Sequence, residues 1–149
     1  MKKFIIALLC IISCNAFCQT NQFKLDQTKP ESVVNAIFYA AQTEDYSVLE
    51  NLCDPEGEGD GDTKMICSVY YAYLQVKSYG GSIETKEQID IFKTAFSCGR
   101  ICGKTRFELE DGDEIAIVPF LFNNGSGSNM DSEEMELIKR DGNWYLYSF

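Results

Sequence analysis

The fold is decided by a stretch in the second half of the chain, KTRFELEDGDEIAIVPFLF at residues 104–122, whose hydrophobic pattern repeats every two residues. Charged and apolar residues alternate over 106–110, as in a strand with one solvated face. Asp111-Gly112 then predicts a two-residue hairpin turn. The return strand, Glu114 to Phe122, is apolar on both faces, so we expect both faces to be covered. Pro119 has no amide proton for a ladder hydrogen bond, which predicts a bulge or bend.

The chain continues into a second predicted hairpin. The polar loop NNGSGSN, Asn123 to Asn129, leads to a strand from Glu133 to Arg140. Asp141-Gly142 repeats the hairpin signal, and Asn143 to Phe149 forms the last predicted strand. This part of the chain is therefore predicted to be an antiparallel meander.

The first half of the chain has helical periodicity. Thr28-Lys29-Pro30-Glu31 is typical of a capping box with an early proline, and it predicts a helix start. A second capping box, Thr85-Lys86-Glu87-Gln88, predicts another helix, which Gly99 should stop. In the first helix the apolar residues share one face, which predicts that it lies on a core; they are Val33, Val34, Ile37, Phe38 and Ala41.

Two further helices are predicted between these. A short one covers Asp45 to Leu52, and a longer one runs from about Thr63 to Tyr79, where Gly80-Gly81 ends it. Helices therefore precede the meander, and the predicted class is α+β, with N-terminal helices packed on one face of an antiparallel sheet.

Two segments make the chain resemble a known superfamily. They are the opening helical region PESVVNAIFYAAQTEDYSVLENLC, residues 30–53, and the closing hairpin MELIKRDGNWYLYSF, residues 135–149. With them the chain resembles the nuclear-transport-factor-2-like superfamily, and within it small secreted bacterial members of unassigned function. The resemblance implies a cone of helices against a curved sheet, with any ligand or chemistry inside the cone.

The N-terminus predicts a secretory signal peptide over residues 1–18. Met1-Lys2-Lys3 precedes nine apolar residues, Phe4 to Ile12, a pattern typical of such signals. Nine residues are too few to span a bilayer, which needs about 20. The remainder, residues 19–149, has the length of a single domain.

Two cleavage sites are possible. Ala16-Phe17-Cys18 resembles an ordinary signal-peptidase site that would release an exported, periplasmic or extracellular protein. Ile11-Ile12-Ser13-Cys14 instead resembles a lipobox, in which Cys14 would be lipidated and anchor the protein to the envelope membrane. Cutting after Cys18 leaves an even number of cysteines, which suits an oxidising compartment. We expect release, with the lipoprotein as the alternative.

The four cysteines of the predicted domain are Cys53, Cys67, Cys98 and Cys102. We predict two disulfides, Cys53–Cys67 and Cys98–Cys102, and the rival pairing would cross-link the two segments as Cys67–Cys98 or Cys53–Cys102. The first bridge would tie down the acidic loop CDPEGEGDGD, residues 53–62. Its carboxylates repel one another, so a covalent tie is a sensible remedy.

The acidic loop also offers weak calcium candidates, Glu56, Glu58, Asp60 and Asp62. Three of them match the early positions of a calcium-binding loop. The twelfth position, which should be a bidentate Glu, is Cys67. We therefore expect an exposed acidic loop and no metal or other cofactor.

The chain contains no histidine. This excludes catalytic sites built on a histidine base and metal sites with histidine ligands. Without Lys2 and Lys3, 11 basic and 23 acidic residues remain, a net charge of −12. Such a balance argues against partners that need basic patches, namely nucleic acids and anionic membranes.

No catalytic residue can be assigned from the sequence. The resemblance allows isomerase or cyclase chemistry on Asp, Glu and Tyr side chains. Tyr70, Tyr73, Tyr145 and Tyr147 are instead interpreted as packing residues with their hydroxyls at the rim. We therefore expect a small binding or interaction domain that holds a small apolar ligand or a protein partner. The alternatives are a pocket enzyme and a lipid-anchored envelope component.

Overall fold

The computed structural model describes residues 23–125 and 129–149. The predicted signal peptide and Cys14 lie outside the described residues. Helices α1 (Pro30–Thr43), α2 (Gly61–Tyr79) and α3 (Ile83–Phe96) and a short 3₁₀ helix (Tyr46–Leu49) come first. The strands follow as β1 (Arg100–Ile101), β2 (Arg106–Glu110), β3 (Asp113–Phe122), β4 (Asp131–Arg140) and β5 (Asn143–Ser148). The predicted α+β class, with helices preceding an antiparallel sheet, is confirmed.

The sheet is built around β3. On one side β3 pairs with β4, and on the other side its first half pairs with β2 and its last residues pair with β1. Strand β5 pairs with β4. All four pairings are antiparallel.

Both predicted hairpin turns are present. In each turn the Asp and the Gly have positive φ, 50° and 98° at Asp111-Gly112 and 51° and 82° at Asp141-Gly142. This is the backbone of the primed turns that match the twist of two antiparallel strands, and Asp-Gly is among the dipeptides that tolerate it.

The predicted bulge at Pro119 is not found. Pro119 lies in register opposite Glu134, and the irregularity of the sheet lies in β4 between Glu136 and Leu137. On the other side of β3, pairing with β2 stops at Ile117 and pairing with β1 begins at Phe120. Pro119 therefore occupies the gap between two edge strands, where its missing N–H breaks no ladder.

Both faces of β3 are covered, as predicted. The inner face, carrying Ala116, Val118 and Phe120, packs in the main core with the helices. Helix α1 contributes most to this core, and its buried residues include all five of the predicted apolar face. The outer face carries Ile115 and Ile117, which form a second, smaller cluster with Ile138, Tyr145 and Tyr147.

Two helix starts differ from the prediction. Helix α1 has Lys29 as its N-cap without a side-chain cap, because the hydroxyl of Thr28 donates to Asp26 instead. Helix α3 begins at Ile83, and its cap is Ser82, whose Oγ accepts a hydrogen bond of 3.1 Å from the N–H of Thr85. At α3 a neighbouring polar side chain therefore takes the expected capping role, whereas at α1 the expected residue bonds to Asp26 and no side chain caps the helix.

The predicted Cys53–Cys67 disulfide is confirmed, with the two Cα atoms 6.0 Å apart. The predicted second bridge is not formed, because Cys98 and Cys102 are both free and exposed. The chain between them does not make the expected turn. It enters β1, and Cys102 continues along β3 by donating its N–H to the carbonyl of Pro119 at 3.0 Å. An extended chain advances about 3.3 Å per residue, which carries the two thiols beyond bonding distance.

The disulfide assignment predicts that replacing Cys53 and Cys67 with Ala lowers the free energy of unfolding by about 3 kcal/mol, since the bridge closes a loop of about 15 residues. Urea denaturation followed by Trp144 fluorescence measures this loss, and dithiothreitol should produce the same loss in the unmodified protein. In the control variant Cys98→Ser/Cys102→Ser, stability and sensitivity to dithiothreitol should both persist. Loss of that sensitivity in the control would contradict the assignment.

Candidate functional site

A cavity of about 500 Å³ opens between the start of α2, the second half of α3 and the end of β3. Its wall is mostly apolar and consists of Met65, Ile91, Ala95, Phe96, Phe122 and Phe149. The volume lies within the range of small-molecule sites in proteins, about 300–1,000 Å³. The cavity is therefore the candidate functional site.

The floor of the cavity is a cluster of phenylalanine rings. The ring of Phe96 lies 6.2 Å from that of Phe122 and 6.0 Å from that of Phe149. Below them, the rings of Phe120 and Phe38 continue the cluster into the core. These centroid distances are within the 4.5–7 Å at which aromatic pairs attract each other. Aromatic rings therefore fill the space beneath this cavity, between α3 and the inner face of β3.

Local sequence periodicity explains how these rings converge. Strand β3 alternates its side chains, so Phe120 and Phe122 share the inner face. Helix α3 places Phe92 and Phe96 one turn apart on the face that packs against the core. The N–H of Asn123 donates to the carbonyl of Ala95 at 2.9 Å, which fixes the end of β3 against α3.

The rim of the cavity is acidic and polar. Asp62, in the first turn of α2, and Asp90, on α3, are both exposed at the mouth, and Asn123 is half-buried. Among the described lining residues there is no Lys, Arg or Tyr. The cavity therefore combines an apolar interior with a rim whose charge is negative.

The structure does not bring the calcium candidates together. Asp60 is the N-cap of α2, Asp62 lies at the cavity, and Glu56 and Glu58 lie beside Arg140. Within residues 23–125 and 129–149, no cluster of three or more potential ligands could hold a metal ion.

Arg140 organises the acidic loop instead. Its side chain is only 12% exposed, and it contacts four carboxylates. The shortest distances are 2.7 Å to Asp113 and 2.8 Å to Glu58. Asp54, whose side chain is fully buried, lies 3.4 Å from Nε. The hydrogen bond and charge of Asp113 are the main cause that raises the pKa of Arg140. The guanidinium of Arg140 thus balances part of the negative charge of the loop. The sequence had suggested a calcium ion at this place.

Asp60 connects the loop to the last strand. Burial by itself would raise its pKa, but the N–H groups of Thr63 and Phe149, at 2.8 and 3.0 Å, donate to the carboxylate and lower the pKa overall. The N–H of Asp60 in turn donates to the carbonyl of Tyr147 at 2.8 Å. Asp60 therefore has a structural role at the helix start.

The tyrosines considered in the sequence are packing residues, as predicted. Tyr70 and Tyr73 pack against the main core, and Tyr145 and Tyr147 pack against the outer cluster. Trp144 is buried in the main core and lies beside Phe107 and Lys139.

Tyr46 is the one buried tyrosine whose hydroxyl has no hydrogen-bond partner among the described residues. It lies beneath α2 and α3, where its ring contacts those of Tyr73 and Phe92. Burial, followed by the charges of Glu44 and Asp90, raises its pKa to about 12. The local sequence carries no signal for this unpaired hydroxyl.

No described helix is both long and apolar enough to cross a membrane. Comparison of the chain with models of protein families, with curated proteins and with solved structures gave no match. The fold and the site define a class, a small disulfide-bonded α+β domain with an apolar cavity between its helices and an antiparallel sheet.

The contacts of Arg140 predict that Arg140→Met destabilises the protein by about 3–5 kcal/mol, because it leaves the buried carboxylate of Asp54 without its cation. The double variant Arg140→Met/Asp54→Asn should recover part of this loss. The control is Arg106→Met, whose exposed pair with Glu134 should be worth less than about 1 kcal/mol. Equal losses in the two single variants, measured by urea denaturation, would contradict this role for Arg140.

The unpaired hydroxyl predicts how stability depends on alkaline pH. The unfolded chain loses the Tyr46 proton near pH 10, whereas the folded chain holds it until about pH 12. The folded state therefore binds more protons in this window, and stability falls by roughly 2–3 kcal/mol as pH rises through it. Tyr46→Phe should remove that part of the slope without loss of stability at pH 7. Tyr79→Phe, at a position 88% exposed, should keep the full slope. Parallel pH profiles for the two variants would contradict the assignment.

Proposed function

We propose that this protein is an exported binding domain that holds a small apolar molecule at the mouth of its cone. The observation that carries the proposal is the cavity of about 500 Å³ above a floor of phenylalanine rings. An apolar wall with a few polar groups at the rim is the usual composition of a small-molecule site. The negative rim of Asp62 and Asp90 favours ligands whose polar end is positively charged or neutral.

Export is supported by the Cys53–Cys67 disulfide, since such bridges persist in oxidising compartments. We propose that the chain is released after residue 18, and that lipidation of Cys14 is the alternative. The proposed relationship to the nuclear-transport-factor-2-like superfamily requires helices packed on the inner face of an antiparallel meander, and this chain has that arrangement.

The lining of the cavity supports binding over the isomerase or cyclase alternative. Such an enzyme would use a carboxylate or tyrosine whose pKa is shifted by burial inside the pocket. The two carboxylates at this cavity, Asp62 and Asp90, are exposed at its rim. The residues at its floor are the buried Phe96 and the half-buried Phe122 and Phe149, which supply contact area and no proton-transfer group.

The proposal predicts that the neutral apolar dye Nile red binds in the cavity. Ile91→Asp should weaken this binding about tenfold, since it removes roughly 1.4 kcal/mol of apolar contact from the wall. Ile83→Asp is the matched control, because Ile83 lies on the same helix, is 77% exposed and does not line the cavity. Fluorescence titration of the three proteins measures the effect.

Competition with paired ligands tests the charge of the rim. Decyltrimethylammonium and decyl sulfate, both below their micellar concentrations, carry the same alkyl chain and opposite charges. The cation should displace Nile red at a lower concentration than the anion does, and Asp62→Asn/Asp90→Asn should reduce the difference. Equal binding of Nile red by the two isoleucine variants, or no saturable binding to the unmodified protein, would overturn the proposed function.

A further inference from the structure

One edge of the sheet, at β5, is covered by another segment of the chain, whereas the edge at β2 is exposed. The edge of β5 is covered by the disulfide-bonded loop, because the N–H of Leu146 donates to the carbonyl of Leu52 at 2.7 Å and Cys53 forms a parallel bridge with Leu146. Within the part of the chain that the structure describes, strand β2 pairs only with β3, and all five of its residues are exposed. An exposed edge strand presents a row of unpaired backbone groups to any other strand.

The register of β2 shows which backbone groups face outward. Glu110 and Asp113 close a two-residue hairpin, so this pair exchanges hydrogen bonds across the ladder. The pattern alternates along β2, so that the N–H and C=O groups of Phe107 and Leu109 point away from β3. Among the described residues, no hydrogen bond reaches these groups.

The side chains of β2 add an apolar surface to this edge. Phe107 and Leu109 lie on the inner face of the sheet, 63% and 77% exposed. The charged residues Arg106, Glu108 and Glu110 lie on the outer face, because side chains alternate along a strand. Charged side chains usually protect such an edge from association, so a second strand can join it only where it offers opposite charges.

We propose that the edge of β2 binds the edge of β2 of a second copy of this chain, so that the two sheets join antiparallel about a two-fold axis at Phe107. The sequence of the edge, KTRFELE at residues 104–110, is self-complementary in this register. Lys104 lies opposite Glu110 of the partner subunit, and Arg106 lies opposite Glu108 of the partner subunit. The two Phe107 rings meet at the axis.

This register is favoured over the adjacent symmetric one. With the axis at Phe107, the two copies of Phe107 exchange backbone hydrogen bonds, and each charged pair has opposite signs. With the axis at Glu108, Glu108 lies opposite its own copy, which is repulsive.

The electrostatics of the outer face agree with this arrangement. Glu136 of β4 lies on the outer face, across β3 from this edge, and its pKa is raised by burial and then by the charges of Glu110 and Glu108. Lys104 and Arg106 of the partner subunit would lie next to these carboxylates and offset their repulsion. The net charge of −10 opposes non-specific association, so only a register that pairs opposite charges suits this edge.

Sedimentation equilibrium over about 0.01–1 mM protein tests the proposal. A short edge contact buries little area, so we expect a weak dimer that forms in the upper part of this range. Phe107→Pro should weaken it at least tenfold, because it removes the outward N–H and the ring at the axis. The pairing with β3 does not use this N–H, and circular dichroism checks that the variant folds.

Charge reversal makes the test specific for the register. Lys104→Glu and Glu110→Lys should each weaken the dimer several-fold, and the double variant Lys104→Glu/Glu110→Lys should restore it. Ile83→Asp changes an equally exposed apolar residue elsewhere and should leave the dimer unchanged. Ile91→Asp should also dimerise normally, which separates this proposal from ligand binding in the cavity. A monomer at every concentration, or a dimer that none of the β2 variants affects, would overturn the proposal.

Discussion

The rest of the structure depends on the burial of β3 on both of its faces. This strand carries nearly continuous apolar residues from Ile115 to Phe122, and each fully buried large side chain stabilises the fold by roughly 1.5–3 kcal/mol. The inner face requires the helices, and α1 supplies a surface of fully buried residues for it. No helix within the described residues covers the outer face, where Ile138, Tyr145 and Tyr147 from β4 and β5 shield Ile115 and Ile117. The two faces of β3 are thus covered differently, by helices on the inner face and by side chains of β4 and β5 on the outer face.

The same burial decides where a ligand can bind. Phe120 and Phe122 continue the inner face of β3 into the space beneath α3, and Phe96 and Phe149 close around them. The aromatic rings occupy the interior that a hollow cone would leave open. What remains is a cavity at the mouth, next to solvent and beside two exposed aspartates. The ligand that we propose is an apolar body with a solvated polar end, which matches the apolar wall and the acidic rim of this cavity.

The acidic loop is held by a disulfide and by an ion pair, and it covers one edge of the sheet. The Cys53–Cys67 bridge holds the two ends of the loop, and Arg140 neutralises its carboxylates from the outer face of the sheet. Held in this way, the loop lies along β5 and bonds to Leu146 and Tyr147, which closes that edge. The other edge, at β2, has no comparable cover among the described residues. The two edges therefore differ, and the outer backbone groups of β2 have no partner among the described residues.

The sequence by itself determined the features whose cause is local. Asp111-Gly112 and Asp141-Gly142 specify their turns because only a few dipeptides adopt that backbone, and the apolar periods of α1 and β3 specify which faces are buried. The pairing of Cys53 with Cys67 was also predicted correctly. Local patterns did not predict which of two neighbouring groups forms a bond, and Ser82 caps α3 in place of Thr85. They also did not predict that an extended strand keeps Cys98 and Cys102 apart. Only the tertiary structure decided the ion pair of Arg140 with Asp54 and the convergence of Met65, Ile91 and Phe149 on one cavity. These contacts join residues far apart in the chain, and their geometry is set by how the helices and the sheet pack, which no local pattern encodes.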